Sequence, residues 1–560
     1  LTTYARGYGI QINGGGTIAN AVTFNNTGVV AVGDLTATTS FAGGLDATGP
    51  ATVRLQGTIE SGDPLNPGTS SPLSFGVVQL VGNTVLNSNG SITQPVIFRD
   101  MVAATAMLGG VGTALSFFGN VNLTGGATLQ GLTTLDNTLY SSQSSVLDFT
   151  VGTATSFNDL ILASGPVRLT GVGNYEVAGT VRGDQTLKLA GAGTKVFGGK
   201  VGTDLAPLGN GLAGIDQADG SGTVTFQDDV FTSGVSTFNA SVVLDGMTYK
   251  SNERVDFGSD LFDSVTLSGG TVALSGTGVK NFNGTVSSTV GLQQGGTAGK
   301  VIFNNDVTST GPAGTFDLAG DVELAGLTFS SGGAVNFSKA VSLTQGPVTL
   351  TGGGAYTVTA TVDGAQNLVL SGAGLKSFSG AMGSTTVIGT GSGTAVAISV
   401  GATTLATSVG GSAVTTLGGT GAYQFAGSVN GTGMGEQSLA LSSSGTTLFG
   451  GLVGSGVVRL AGLTQSATAG AVEFQGDVFT AGTSLFAGDV ILNGMNFNAN
   501  GTTTYATVQL NGAGVALLGT GTQSVQGTLT GNGVAFVLDG SGNKSLSTAN
   551  NLGTFTINSS

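Results

Sequence analysis

The residues able to do chemistry are few. No His and no Cys occur among the 560 positions. Neither a Ser–His or Cys–His nucleophile pair nor a thiolate can therefore form, and zinc loses its usual ligands. Carboxylates remain, 30 Asp and Glu against 16 Lys and Arg, for a formal charge of −14. They are densest from Asp216 to Asp263, where Asp216, Asp219, Asp228, Asp229, Asp245, Glu253, Asp256, Asp260 and Asp263 fall together. Two chemistries suit such a cluster. Calcium takes carboxylate and carbonyl oxygens, with Asp228, Asp229, Asp256 and Asp260 as candidate ligands. A polysaccharide-cleaving enzyme needs two carboxylates across a groove. Solvated turns explain the same residues without chemistry. A gapless duplicate of this segment, described below, puts Gly476 where Asp228 stands.

Other chemistries fail on residue type or spacing. The stretch Gly191–Lys195 (GAGTK) is a fragment of a phosphate loop, yet it belongs to a repeat and lacks the full motif. The basic residues are few and scattered, which excludes nucleic acid as a partner, since phosphate neutralisation needs clustered Lys and Arg. No catalytic residue, cofactor-binding residue or enzyme activity is expected, and calcium is the one cofactor kept open. The run Met101–Val121 carries no charge, but its glycines and missing basic flanks predict buried strands or one short helix, not a membrane span.

The elements that must carry these residues are written in repeats. The pattern L-x-G-x-G-x-[K/Y]-x-[F/V]-x-G-x-V begins at Leu169, Leu189, Leu274, Leu350, Leu370 and Leu417, with degraded copies at Leu441, Leu517 and Leu538. Neighbouring copies such as Leu169 and Leu189, or Leu417 and Leu441, set a unit of about 20–25 residues, a period typical of solenoids. Thr223–Asn252 aligns without a gap to Ala471–Asn500, and Gly165–Phe197 matches Gly346–Phe378 at 20 of 33 positions. A unit this short buries no core alone, whereas stacked copies do. Apolar residues alternate with small or polar ones, so each strand has one apolar face, and the paired glycines permit a sharp corner. The expected fold is all-β, a right-handed parallel β-helix (β-solenoid) over residues 106–560. Residues 1–105 lack clear copies and hold the proline-rich Asp63–Pro72. They are expected to form a cap, irregular coils or a subunit-docking strand carrying Tyr4, Arg6 and Tyr8 in alternation.

The seventh position of the pattern holds Tyr175, Lys195, Lys280, Tyr356, Lys376, Tyr423, Thr447, Gln523 and Lys544. Two readings fit. It is either a corner where a long side chain covers apolar surface with a wet tip, or an external Lys/Tyr stripe that contacts a neighbouring chain or glycan.

At GTGVKNFNGTV (from Gly276), GAGTKVFGGKV (from Gly191) and GDVILNGMNF (from Gly488), the chain resembles secreted bacterial Gly-rich repeat proteins of the filamentous-haemagglutinin and autotransporter-passenger type. The resemblance implies an extracellular, cell-surface β-helix used for adhesion or as a fibre. The expected function is a non-catalytic structural protein that self-assembles into a filament, sheath or surface layer. A monomeric rod-like adhesin is the alternative, and a polysaccharide-active enzyme at 216–263 the alternative from another class. Expected partners are copies of the chain itself, end to end, and a surface glycan or protein.

Overall fold

The computed structural model describes residues 1–558 except 35, 62–70, 89–95, 104–105, 109–113, 118–120, 124–126, 137–146, 204–210, 312–313, 365, 373, 375, 379–385, 390–395, 399–402, 405–412, 418–421, 426 and 432. Among the described residues there is no α-helix. The chain is an all-β solenoid of short strands, each paired in parallel with the strand one coil before and one coil after.

Strands are short because Gly, Ser, Thr and Asn interrupt the apolar residues every few positions, and each interruption is a corner. Within a strand the side chains alternate in and out. Leu147, Phe149 and Val151 are buried while Asp148 and Thr150 are half-exposed. Parallel pairing then stacks like on like, which keeps the inner face apolar from coil to coil.

The chain divides into two compact units, Leu1–Thr285 and Val286–Ser560. In the first, the register runs Ile10↔Val30, Val30↔Val53 and Val53↔Val78. The first hundred residues, set apart in the sequence, thus pair by the same parallel rule as those that follow. Further along, Lys195 pairs with Val224, Val224 with Val242 and Val242 with Val265. The core carries rings in register: Phe238 stacks on Phe257 with centroids 5.4 Å apart, and Phe257 on Phe282 at 5.0 Å. In the second unit the register runs Val286↔Val307, Val307↔Phe329 and Phe329↔Leu350. Phe425, Phe449 and Phe474 stack there at 5.1 Å spacings. Such aromatic pairs are worth about 0.5–1.5 kcal/mol beyond their buried area.

Within the uncharged run from Met101 to Val121 the described residues include the strands Ala106–Leu108 and Ala114–Phe117, with Leu115 and Phe117 buried. Among the described residues no helix is long and apolar enough to cross a membrane.

Candidate functional site

The G-x-G corners and the seventh position after them form the most specific constellation in the chain. In the copy beginning at Leu189, Gly191 adopts φ +75°, a left-handed backbone that glycine takes without strain. Gly193 passes so close to the coil below that a Cβ there would run into the Gly173 carbonyl. The turn leaves carbonyl oxygens facing the interior, where they need donors.

The seventh residue supplies the donor. Lys195 is fully buried, and its Nζ donates to Gly191 O (2.7 Å) and Gly193 O (2.6 Å). Lys280 Nζ donates to Gly276 O and Gly278 O at 2.7 Å and to Ser251 O of the coil below at 3.1 Å. Lys376 Nζ donates to Gly374 O (2.8 Å) and lies 5.2 Å from the Tyr356 ring centroid, a cation–π contact. Lys544, half-exposed, donates to Gly519, Gly521 and Gly542 carbonyls at 3.0–3.2 Å. Tyr175 Oη donates between Phe149 O and Thr170 O, and Tyr356 Oη between Phe329 O and Thr351 O. Gln523 Nε2 donates to Leu518 O at 2.7 Å. Lys, Tyr and Gln share the slot because each ends a long stem in a donor.

The interior taxes this arrangement. Burial pushes the Lys195, Lys280 and Lys376 ammonium groups down to about 8, despite the carbonyls around them. Burial raises the Tyr175, Tyr249, Tyr356 and Tyr505 phenols above their usual value.

These positions correct both sequence readings. Tyr175, Lys195, Lys280, Tyr356, Lys376 and Tyr423 are buried, so the slot forms no external stripe, and of its lysines only the half-exposed Lys544 nears solvent among the described residues. The physical reason is the inward set of glycine carbonyls, which outbids solvent for the donor.

The acidic candidates are also spent locally. Asp228 accepts from the Asp229 amide (2.7 Å). Asp229 accepts from the Thr248 amide in the next coil (2.9 Å) and lies 3.6 Å from Lys200. Asp256 accepts from Arg254 Nε and Asn281 Nδ2, and Asp260 accepts from the Phe262 amide. Among the described residues no group of three acidic side chains converges as metal ligands. The calcium candidates Asp228, Asp229, Asp256 and Asp260 belong to no such group. Density along the chain did not become density in space, because Asp228 and Asp260 serve their own turns while Asp229 and Asp256 reach to neighbouring coils.

The segment holding Tyr4, Arg6 and Tyr8 is not a strand. Arg6 N donates to Tyr4 O, Tyr8 N to Arg6 O and Tyr4 N to the Tyr8 hydroxyl, so the chain bends there instead of extending. Tyr4 is exposed beside a shallow cleft lined by Thr3, Ala5 and Asn25.

Two recurrent devices escaped the sequence reading. Gln217, Gln294 and Gln465 each donate from Nε2 to the carbonyl five residues on, at Gly222, Gly299 and Gly470. A Gln five positions before a glycine was the available signal. Asp159, Asp229, Asp306 and Asp477 each accept an amide N–H about one coil later, from Thr180, Thr248, Thr328 and Asn496. The second device needs the coil register before it can be seen.

No family model, no curated protein and no solved structure matches this chain.

Proposed function

We propose that this chain is a non-catalytic structural protein of the cell exterior that assembles with copies of itself into a filament, sheath or layer. One observation carries the reading: the groups able to do chemistry are used to hold the coils. The interior lysines and tyrosines close corners, and the aspartates bridge one coil to the next. A fold built this way offers repeated surface more than a reaction centre, which suits scaffolding. The extracellular placement and the bacterial adhesin or fibre class rest on the resemblance in the repeat phrases. The monomeric adhesin remains the second reading, favoured by Tyr4 beside its cleft, since tyrosine rings stack well on sugars and on protein partners. A polysaccharide-cleaving role is the weakest, because the carboxylates of 216–263 already serve turns. Negative-stain electron microscopy over a range of concentrations tests the proposal, with regular filaments or sheets expected. Separate particles at every concentration would overturn it in favour of the monomeric adhesin.

A further inference from the structure

The block Thr223–Asn252 has a gapless duplicate, Ala471–Asn500, and the two copies part company just after it. In the second, one strand, Thr503–Asn511, spans the equivalent stretch, with only a register shift between Tyr505 and Val508. In the first, the corresponding strands are Val255–Phe257 and Ser264–Ser268, and the extra residues Ser259–Asp263 stand between them. Insertions in one repeat but not its duplicate are where repeat proteins place binding loops.

The insertion is a braced knob. Asp263 Oδ2 accepts from Ser259 N (2.6 Å) and Ser259 Oγ (2.8 Å), and Asp260 Oδ1 accepts from Phe262 N (2.8 Å). The turn holds up two adjacent apolar side chains, Leu261 at 57% and Phe262 at 90% exposure. Water disfavours this, and folding gains nothing from it. Flanking carboxylates argue against an anionic membrane and for a partner with exposed apolar side chains beside a cation. The second unit holds such chemistry. There Gly435 N donates to Arg459 O (2.8 Å), joining two loops that expose Met434 at 64% and Val457 at 81%. Among the described residues Arg459 donates to oxygens of Thr480 and Asn498, packs on Phe479 and pairs with no carboxylate. Glu436, in the same loop, lies against the Gln437 amide.

We infer that the Leu261–Phe262 knob of one molecule docks on the Met434–Val457–Arg459 surface of a second copy of this chain. The inference rests on the self-assembly reading. The contact is heterologous, with different surfaces meeting, and so repeats from copy to copy.

The native chain has no cysteine, so introduced thiols report one contact cleanly. Phe262→Cys, Val457→Cys and Met434→Cys are made singly and oxidised alone or mixed. Mixing the Phe262→Cys protein with either partner variant is expected to give covalent dimers that neither gives alone. Phe262→Ser is expected to weaken self-association about tenfold or more, as loss of an aromatic anchor does. Dimers from Phe262→Cys alone, or mixed samples no richer in dimer than single ones, overturn the inference. Wild-type association that Phe262→Ser leaves unchanged overturns it while sparing the self-assembly reading. A wild type that never associates removes both.

Discussion

At the scale of the residue, the seventh position of the repeat decides the most. A buried ammonium is costly in an apolar core unless its hydrogens are all received, and for Lys280 the carbonyls of Ser251, Gly276 and Gly278 receive them. Lys280→Met leaves those carbonyls without a donor and is expected to cost about 1–3 kcal/mol, the penalty for buried polar groups left unpaired. Lys280→Gln and Lys280→Tyr, which use donors found in this slot elsewhere, are expected to lose less. Urea denaturation of the three variants checks this, and equal losses would contradict it. The same lysines set a pH dependence. Their folded values are about 8 against 10.5 for an ordinary lysine. Between those values the unfolded chain holds the proton and the folded chain does not, so stability rises with pH. The buried tyrosines act oppositely, since their folded values lie above the usual 10.0. Above that pH the folded chain keeps protons the unfolded chain has lost, and stability falls. The denaturation midpoint is therefore expected to climb from pH 8 to about 10 and then drop. Replacing Lys195, Lys280 and Lys376 together by Met should flatten the climb and leave the drop. The identity of this slot was readable in the sequence, but its direction was not. A long charged side chain near a turn ordinarily points to water, and only the backbone shows carbonyls turned inward.

At the scale of the element, two features hold one coil to the next. The first is close approach at the second glycine of each corner. Gly193→Ala places a methyl group against the Gly173 carbonyl, and overpacking of this kind costs about 1–3 kcal/mol. Thermal unfolding of this variant beside an alanine at the open Gly353, where a Cβ meets nothing within 4 Å, isolates the effect. A Gly193→Ala protein no less stable than the control would contradict it. The second feature is the aspartate that reaches the following coil. Asp306 accepts the Thr328 amide at 2.7 Å, so Asp306→Ala is expected to lose about 1 kcal/mol. Faster amide exchange at Thr328 would report the loss locally. The alternation of apolar and polar residues made the strands and their parallel stacking readable in advance. The clustering of Asp228, Asp229, Asp256 and Asp260 along the chain was readable too, but misleading. Coil stacking brings together residues about one coil apart in register, and these four do not stack: Asp228 and Asp229 share one turn, Asp256 lies within the strand Val255–Phe257 against Asn281, and Asp260 lies in the bend that follows.

At the scale of the whole molecule, the composition and the fold agree on why so few charges are needed. Only 8% of residues are charged, and among those described many meet a partner of the opposite sign. Arg168 pairs with Asp148 and Lys188 with Asp216 at 2.7 Å, and Lys300 pairs with Glu323. The net charge of −14 is spread over 560 residues, so the repulsion between any two facing patches is weak and falls further with salt. The repeats made the solenoid readable, whereas the division after Thr285 was not, because it falls inside the copy that begins at Leu274. The Phe262 knob was equally hidden, since an exposed Leu-Phe in a sequence looks like any other pair of core residues until the strands on either side are placed. The measurement that tests the self-assembling scaffold most directly is sedimentation velocity of the wild-type chain across a wide concentration range. The account predicts a distribution that shifts steadily to larger species as concentration rises, without a closed end state. A single species of unchanged sedimentation coefficient at every concentration would contradict it.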